Sequence, residues 1–219
     1  RKGSNFVLET PLSQYGDNSI GVYIKNDHVN ETTNKSKNIV RTIIGQANNK
    51  NIYKYINESG TIVELPISGN KTGLSEEFVD AAKGLLIDTT ATTVTELYTP
   101  KIEIEKYSRK SLGIYTMNGN LKVLQENGTT NELNILGGED NIGYLSDGNI
   151  NNNLIYNNTA NNFKVNGNNA ILFASKSGGT LKINNSLPLA STTVSGNGFT
   201  LAYSEGAGST VTLNQGVTG

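Results

Sequence analysis

One phrase in this chain keeps returning at a fixed distance, and that recurrence limits the folds open to it more than any other feature. Residues 112–115 read LGIY, residues 142–145 read IGYL, and residues 20–24 read IGVYI. Aligned on this phrase, Leu112, Ile142, Ile171 and Leu201 recur at an interval constant to within one position, and Ile114, Tyr144, Phe173 and Tyr203 repeat the same steps two positions later. A second register carries LKV at 121–123, LKI at 181–183 and VTL at 211–213; its remaining member falls in NNNLIY, with Leu154 displaced by one position. A third holds Ile135, Val165 and Val194. A period of about 30 residues kept in three registers is the mark of stacked repeats, each burying its apolar face against the next.

Each period contains three short runs that alternate apolar with polar residues, as in LKINN and VTLNQ, which suits strands. Asn, Gly and Ser separate them and tolerate the left-handed backbone of sharp bends. Three strands per lap describe an all-β, parallel β-helix with coils about 4.8 Å apart and, from the preference of parallel crossovers, a right-handed course. A β-sandwich would show turn signals without so long a super-period. Stacking predicts an aliphatic column of Leu112, Ile142, Ile171 and Leu201 inside the coil, and one of Ile114, Tyr144, Phe173 and Tyr203 that turns aromatic. It also predicts an amide ladder between Asn184 and Asn214, and bare backbone at Gly113 and Gly143.

The front half breaks the pattern. Residues 25–38 are polar, residues 51–68 read as two alternating runs around NESG, a hairpin, and LSEEFVDAAKGLL at 74–86 reads as a helix. Ser75 would cap that helix, Leu74 would staple to Val79, and Phe78, Ala81, Ala82 and Leu85 would share one face. The expected organisation is an early rung over 1–24, an α+β excursion or heavily decorated rungs over 25–110, and regular coils over 111–219. Charge divides at the same place: residues 1–110 hold 27 of the 37 charged side chains.

Composition narrows the functions. There are 32 Asn and no Cys, so disulfides and thiolate chemistry are excluded. A net charge of −1 gives no steering toward nucleic acid, and no apolar run approaches the roughly 20 residues needed to span a bilayer. The chain opens on Arg1-Lys2 and closes in mid-pattern, and is read as a piece of something longer.

Asn-Ser-Ile-Gly-Val-Tyr at 18–23, Leu-Gly-Ile-Tyr at 112–115 and Asn-Ile-Gly-Tyr at 141–144 resemble the recurring rung of autotransporter passenger domains, in the Asn- and Lys-rich style of the very large fusobacterial adhesins. The resemblance covers residues 5–24 and 112–219. It implies a β-helical passenger secreted through an outer-membrane barrel outside this segment, displayed on the cell surface, and attaching to a host-cell or bacterial surface protein or glycan. It carries no catalytic motif. The absence of Cys agrees with passage through a barrel in an unfolded state.

Chemistry finds little foothold. His28, the only histidine, lies in a polar stretch and has no companions for a nucleophilic triad or a metal site. Parallel β-helices also host polysaccharide-cleaving enzymes, which makes Glu139, Asp140 and Asp147 the carboxylates to check; GGEDN at 137–141 also resembles one incomplete calcium-binding repeat. No catalytic residue, metal or cofactor is expected, and the chain reads as non-enzymatic. The candidate contact residues are Tyr53, Tyr55, Tyr98 and Tyr107, with Arg109 and Lys110 beside the last, because tyrosine offers an apolar face with a polar tip. The alternative reading is a purely structural stalk.

Overall fold

The computed structural model describes residues 6–26, 34–45, 52–56, 58–66, 78–89, 94–118, 120–126, 129, 131–148, 152–157, 162–185 and 193–214. The chain is an all-β parallel solenoid in which equivalent residues of successive laps pair side by side. Sheet I contains Ile20–Asn26, Lys83–Thr89, Leu112–Asn118, Ile142–Asp147, Ile171–Lys176 and Thr200–Glu205, stacked in that order. Sheet II stacks Phe6–Val7, Asn34–Ile39, Val94–Tyr98, Asn120–Leu124, Asn152–Asn157, Thr180–Asn185 and Thr210–Leu213. Sheet III stacks Leu12–Gln14, Arg41–Ile44, Lys101–Ile104, Glu132–Ile135, Asn162–Asn166 and Thr193–Ser195. Every pairing within these three sheets is parallel.

The front half is therefore largely made of rungs. Residues 34–44 and 83–104 supply strands to all three sheets, and the hairpin of Ile52–Ile56 with Ile62–Pro66 stands apart as an antiparallel pair. The helix expected over 74–86 is corrected in its second half. Val79–Asp80 and Lys83–Thr89 are strands, while residues 74–77 lie outside the described residues. The reason is tertiary: Leu85, Leu86 and Ile87 pair between Val22, Tyr23 and Ile24 on one side and Ile114, Tyr115 and Thr116 on the other. That burial outweighs local helix propensity.

Like stacks on like through the core. Ile44, Ile104, Ile135 and Val165 form one file in sheet III, and Val194 pairs in register with Val165. In sheet II, Leu97, Val123, Ile183 and Leu213 form another, with the strand residue Ile155 paired in register between Val123 and Ile183. Here the sequence reading needs correction: Ile155 keeps the register without a slip, and Leu154 aligns with Lys122 and Lys182. The amide ladder is present, with Asn214 Nδ2 donating to Asn184 Oδ1 at 2.6 Å.

Sheet I decodes the recurring phrase. Leu112, Ile142 and Ile171 are stacked as expected, but they are half-buried or at the edge of burial and sit outside the core. The core file is Val22, Leu85, Ile114, Tyr144 and Phe173. The last lap is one position shorter than the repeated phrase suggests, so Thr200 follows Ile171 and Ala202 follows Phe173, in place of the expected Leu201 and Tyr203. Because side chains alternate across a sheet, this one-residue change moves Tyr203 into the outer file of Tyr23, Leu86, Tyr115, Leu145 and Ala174. Inside, Tyr144 and Phe173 are fully buried, and Phe173 meets Phe163 of sheet III edge-to-face at 5.3 Å.

The glycine of the phrase is a clearance. A Cβ at Gly113 would lie 2.5 Å from the Gly143 carbonyl oxygen and 3.0 Å from Leu133 Cδ1 of sheet III. The Gly143 carbonyl cannot withdraw without breaking the parallel ladder. Gly113→Ala is accordingly expected to destabilise the fold by about 2–3 kcal/mol, at the upper end of overpacking costs, read as a lowered midpoint in denaturant unfolding. Phe173→Ala, which empties the aromatic file, should cost about 3–5 kcal/mol in the same assay.

Candidate functional site

The chain leaves sheet III and enters sheet I through a tight corner that recurs in every lap. Asn18, Ala81, Lys110, Asp140, Asn169 and Gly198 each stand two positions before a sheet I strand, and all adopt positive φ, between 51° and 74°. The residues that follow most of them are buried, and in two laps, at Ser111 and Asn141, their polar side chains close the corner's backbone. Asn141 Oδ1 accepts from the Ser111 N–H at 3.0 Å, while its Nδ2 reaches the Ser108 and Gly137 carbonyls. Ser111 Oγ in turn accepts from the Ala82 N–H at 3.2 Å. Each of these laps thus satisfies an inner corner donor of the lap before it, as buried backbone requires.

On the outside, the same corner carries a narrow polar ladder. Val79–Asp80 pairs in parallel with Ser108–Arg109, and single bridges continue it from Arg109 to Glu139 and from Glu139 to Asn168. The Arg109 guanidinium makes a two-pronged bond to Asp80, both contacts 2.8 Å. It also lies 4.6 Å from the Phe78 ring centre. Phe78 packs 6.2 Å from Tyr107 with the rings tilted at 58°, and the Lys106 ammonium sits 5.0 Å from the Tyr107 ring. Asp17 Oδ1 accepts the Asp80 N–H. The hydrogen bond to Asp80 holds the Arg109 pKa above its ordinary range. The result is a patch in which two cations bracket two aromatic rings beside a file of polar side chains. Such a surface can stack on a flat apolar face and hydrogen-bond at its rim.

Of the residues singled out from sequence, the structure brings Tyr107, Arg109 and Lys110 to this corner. Tyr98 is elsewhere, at the end of a sheet II strand, where its hydroxyl donates to Glu96 at 2.7 Å. Tyr53 and Tyr55 belong to the hairpin strand, opposite Leu65 and Val63; their side chains lie outside the described residues, as does His28. Sequence reasoning missed Phe78 and Asp80 by assigning them to a helix. The signal was present: Asp80 and Arg109 are one lap apart in the chain, so the period alone sets opposite charges side by side.

The carboxylates considered for catalysis do not converge. Glu139 and Asp140 are exposed at the corner, whereas Asp147 ends the strand and accepts from Tyr115 Oη at 3.1 Å. At about 3.3 Å per residue the strand Ile142–Asp147 alone sets them more than about 15 Å apart, beyond the roughly 5–9.5 Å that glycoside cleavage uses. Asp140 accepts from Asn169 Nδ2. Among the described residues, no three His, Cys, Asp or Glu are grouped to hold a metal. No protein family, no curated protein and no solved structure matches the chain.

Lys110→Asn should raise stability by about 1 kcal/mol, because Lys in left-handed backbone carries that strain and Asn tolerates it, measured by thermal unfolding. Asn141→Leu should cost about 1–3 kcal/mol in the same measurement by orphaning the Ser111 N–H. Tyrosines held protonated make the fold sensitive to alkali. The bond to Glu96 holds Tyr98 up to about 12, and burial, then Asp147, holds Tyr115 up to about 12. Both phenols are protonated more tightly in the folded chain than in the unfolded one. Their contribution to stability is therefore complete below about pH 10 and lost as pH rises toward about 12. Burial raises the fully buried Tyr144 as well, so phenolate absorbance in a pH titration should show these three tyrosines delayed and titrating together with unfolding.

Proposed function

We propose that this chain is a β-helical segment of a bacterial surface-displayed, autotransporter-like passenger, working without catalysis as a rigid stalk. The observation that supports it is in-register stacking from Lys83 to Leu213, in which all three sheets continue from one lap to the next. Such a column has each lap fixed by its two neighbours, so it extends a chain from a membrane without bending at a linker. The rung phrase that resembles the passenger family is the second support. Fusing the chain upstream of an autotransporter barrel tests the reading: protease added to intact cells should remove it, and retention inside the cell would defeat the assignment to the outer surface.

A second reading, adhesion to a surface protein or glycan of host or bacterial cells, is favoured by one observation, the Phe78–Tyr107 pair bracketed by Arg109 and Lys106. Central aromatic and arginine anchors carry most of the energy of such contacts. Purified chain should bind cells or glycan surfaces, and Tyr107→Ala or Arg109→Ala should weaken that binding about tenfold, while exposed Lys182→Ala on sheet II leaves it unchanged. Binding indifferent to both corner substitutions would remove the adhesive role from this patch.

A further inference from the structure

We propose, with the adhesive reading of the corner between sheets III and I as its basis, that this corner is a stepped glycan site. An uncharged oligosaccharide stacks on Tyr107 and lies across the two laps that follow. The steps come from the register. Ile104, Ile135 and Val165 pair in sheet III, and Arg109, Glu139 and Asn168 are bridged at the corner, so each lap is pinned at both ends of the same short arc. Between those pins the first of these laps has four residues, Glu105 to Ser108, the next has three, Leu136 to Gly138, and the third has two, Asn166 and Gly167. Over a closed core, surplus residues in a pinned arc bulge outward, and the longest arc is the one that exposes Lys106. A Cβ at Gly137 would lie 2.8 Å from Lys106 Cα, so the shorter lap runs tight against the foot of that bulge. The corner therefore descends away from Tyr107, over the two laps, about 9.6 Å, that separate it from Asn168.

Chemistry selects the ligand. The high step is aromatic: Tyr107 packs 6.2 Å from Phe78 and keeps part of its surface open to solvent. It offers an apolar face, suited to the C–H face of a sugar ring, with a polar tip beside it. The lower steps present a carboxylate and an amide. Glu139 and Asn168 are exposed, and neither makes a side-chain hydrogen bond to another residue among those described, so both can meet hydroxyl groups without breaking an internal bond. Exposed charge on these steps is negative, at Glu139 and Asp140, and the Arg109 charge is answered by Asp80 at 2.8 Å. Sulfated and uronic polymers are disfavoured by that balance. A protein hot spot needs a desolvated apolar centre, whereas Leu136 is the sole aliphatic residue in 136–140 and 166–169. Backbone pinned on both sides needs little further ordering to bind.

The test is a printed array of uncharged oligosaccharides of hexoses and N-acetylhexosamines, with heparin fragments and sialylated oligosaccharides as charged counterparts. Calorimetry of the purified chain with the strongest uncharged probe follows. Binding is expected among the uncharged probes and not among the charged ones. Tyr107→Ala should weaken it about tenfold, and Tyr107→Phe should retain it because the ring face carries the contact. Asn168→Ala should weaken it about three- to tenfold with thermal unfolding unchanged, which separates a lost contact from a lost fold. Signal confined to charged probes, no signal from any uncharged probe, or uncharged binding indifferent to both alanine substitutions would overturn the proposal. Attachment to cells distinguishes this failure from that of the adhesive reading: corner-dependent attachment without any uncharged-glycan signal leaves adhesion standing and assigns the corner to a protein partner.

Discussion

Parallel hydrogen bonding between one lap and the next is the constraint on which the rest of this molecule depends. A strand in such a ladder places each residue directly over its counterpart about 4.8 Å away, so every column must tolerate its own repetition. Aliphatic residues do so by burying area, and the files Ile44–Ile104–Ile135–Val165 and Leu97–Val123 are the outcome. Hydroxyls do so by exchanging bonds, as Ser175 does with Ser204 at 3.1 Å. Amides do so at Asn184 and Asn214. Charges do so best with alternating sign, as where Lys101 lies 3.4 Å from Glu132 and Lys176 lies beside Glu205, although Arg41 stacks on the other side of Lys101. Such surface pairs add little each.

The corner between sheets III and I shows how a structural device and a candidate contact surface share the same residues. Left-handed backbone turns the chain, and buried Ser111 and Asn141 satisfy the donors that the turn exposes. The outer side of that turn then presents Asp80, Arg109, Glu139 and Asn168 in sequence, with Phe78 and Tyr107 at their flank. Much of this patch is engaged internally, since Arg109 is held by Asp80 and by the Phe78 ring. A ligand would meet a rigid surface whose side chains need little further ordering, and rigidity of that kind lowers the entropic cost of binding.

How much could be read without coordinates differs from element to element for physical reasons. The period, the parallel pairing, the third register, the hairpin and the Asn184–Asn214 ladder were legible because each rests on spacing, and spacing survives in sequence. The helix over 74–86 was not. Phe78, Ala81, Ala82 and Leu85 satisfy a helical face, yet Ala81 occupies the left-handed corner and Leu85 enters the core file between Val22 and Ile114. Local pattern and lap position disagreed there, and lap position won because it buries more surface. Of the tyrosines, Tyr107 stands at the corner with Arg109 and Lys110, whereas Tyr98, grouped with them, lies one sheet away beside Glu96.

By itself the sequence determined the lap: its length, its three short strands, and the recurrence of like residues at the same station. That follows because a stacked column writes its periodicity directly into the chain. Only the tertiary structure decided how deeply each station sits. Leu112 and Ile142 looked like core and stand at its margin, while Ile114 and Tyr144 fill it. It also decided that the last lap is one position short, turning Tyr203 outward and bringing Thr200 over Ile171. Side chains alternate at every step along a strand, so a slip of one position, almost invisible in so long a period, inverts which groups are buried and which are shown.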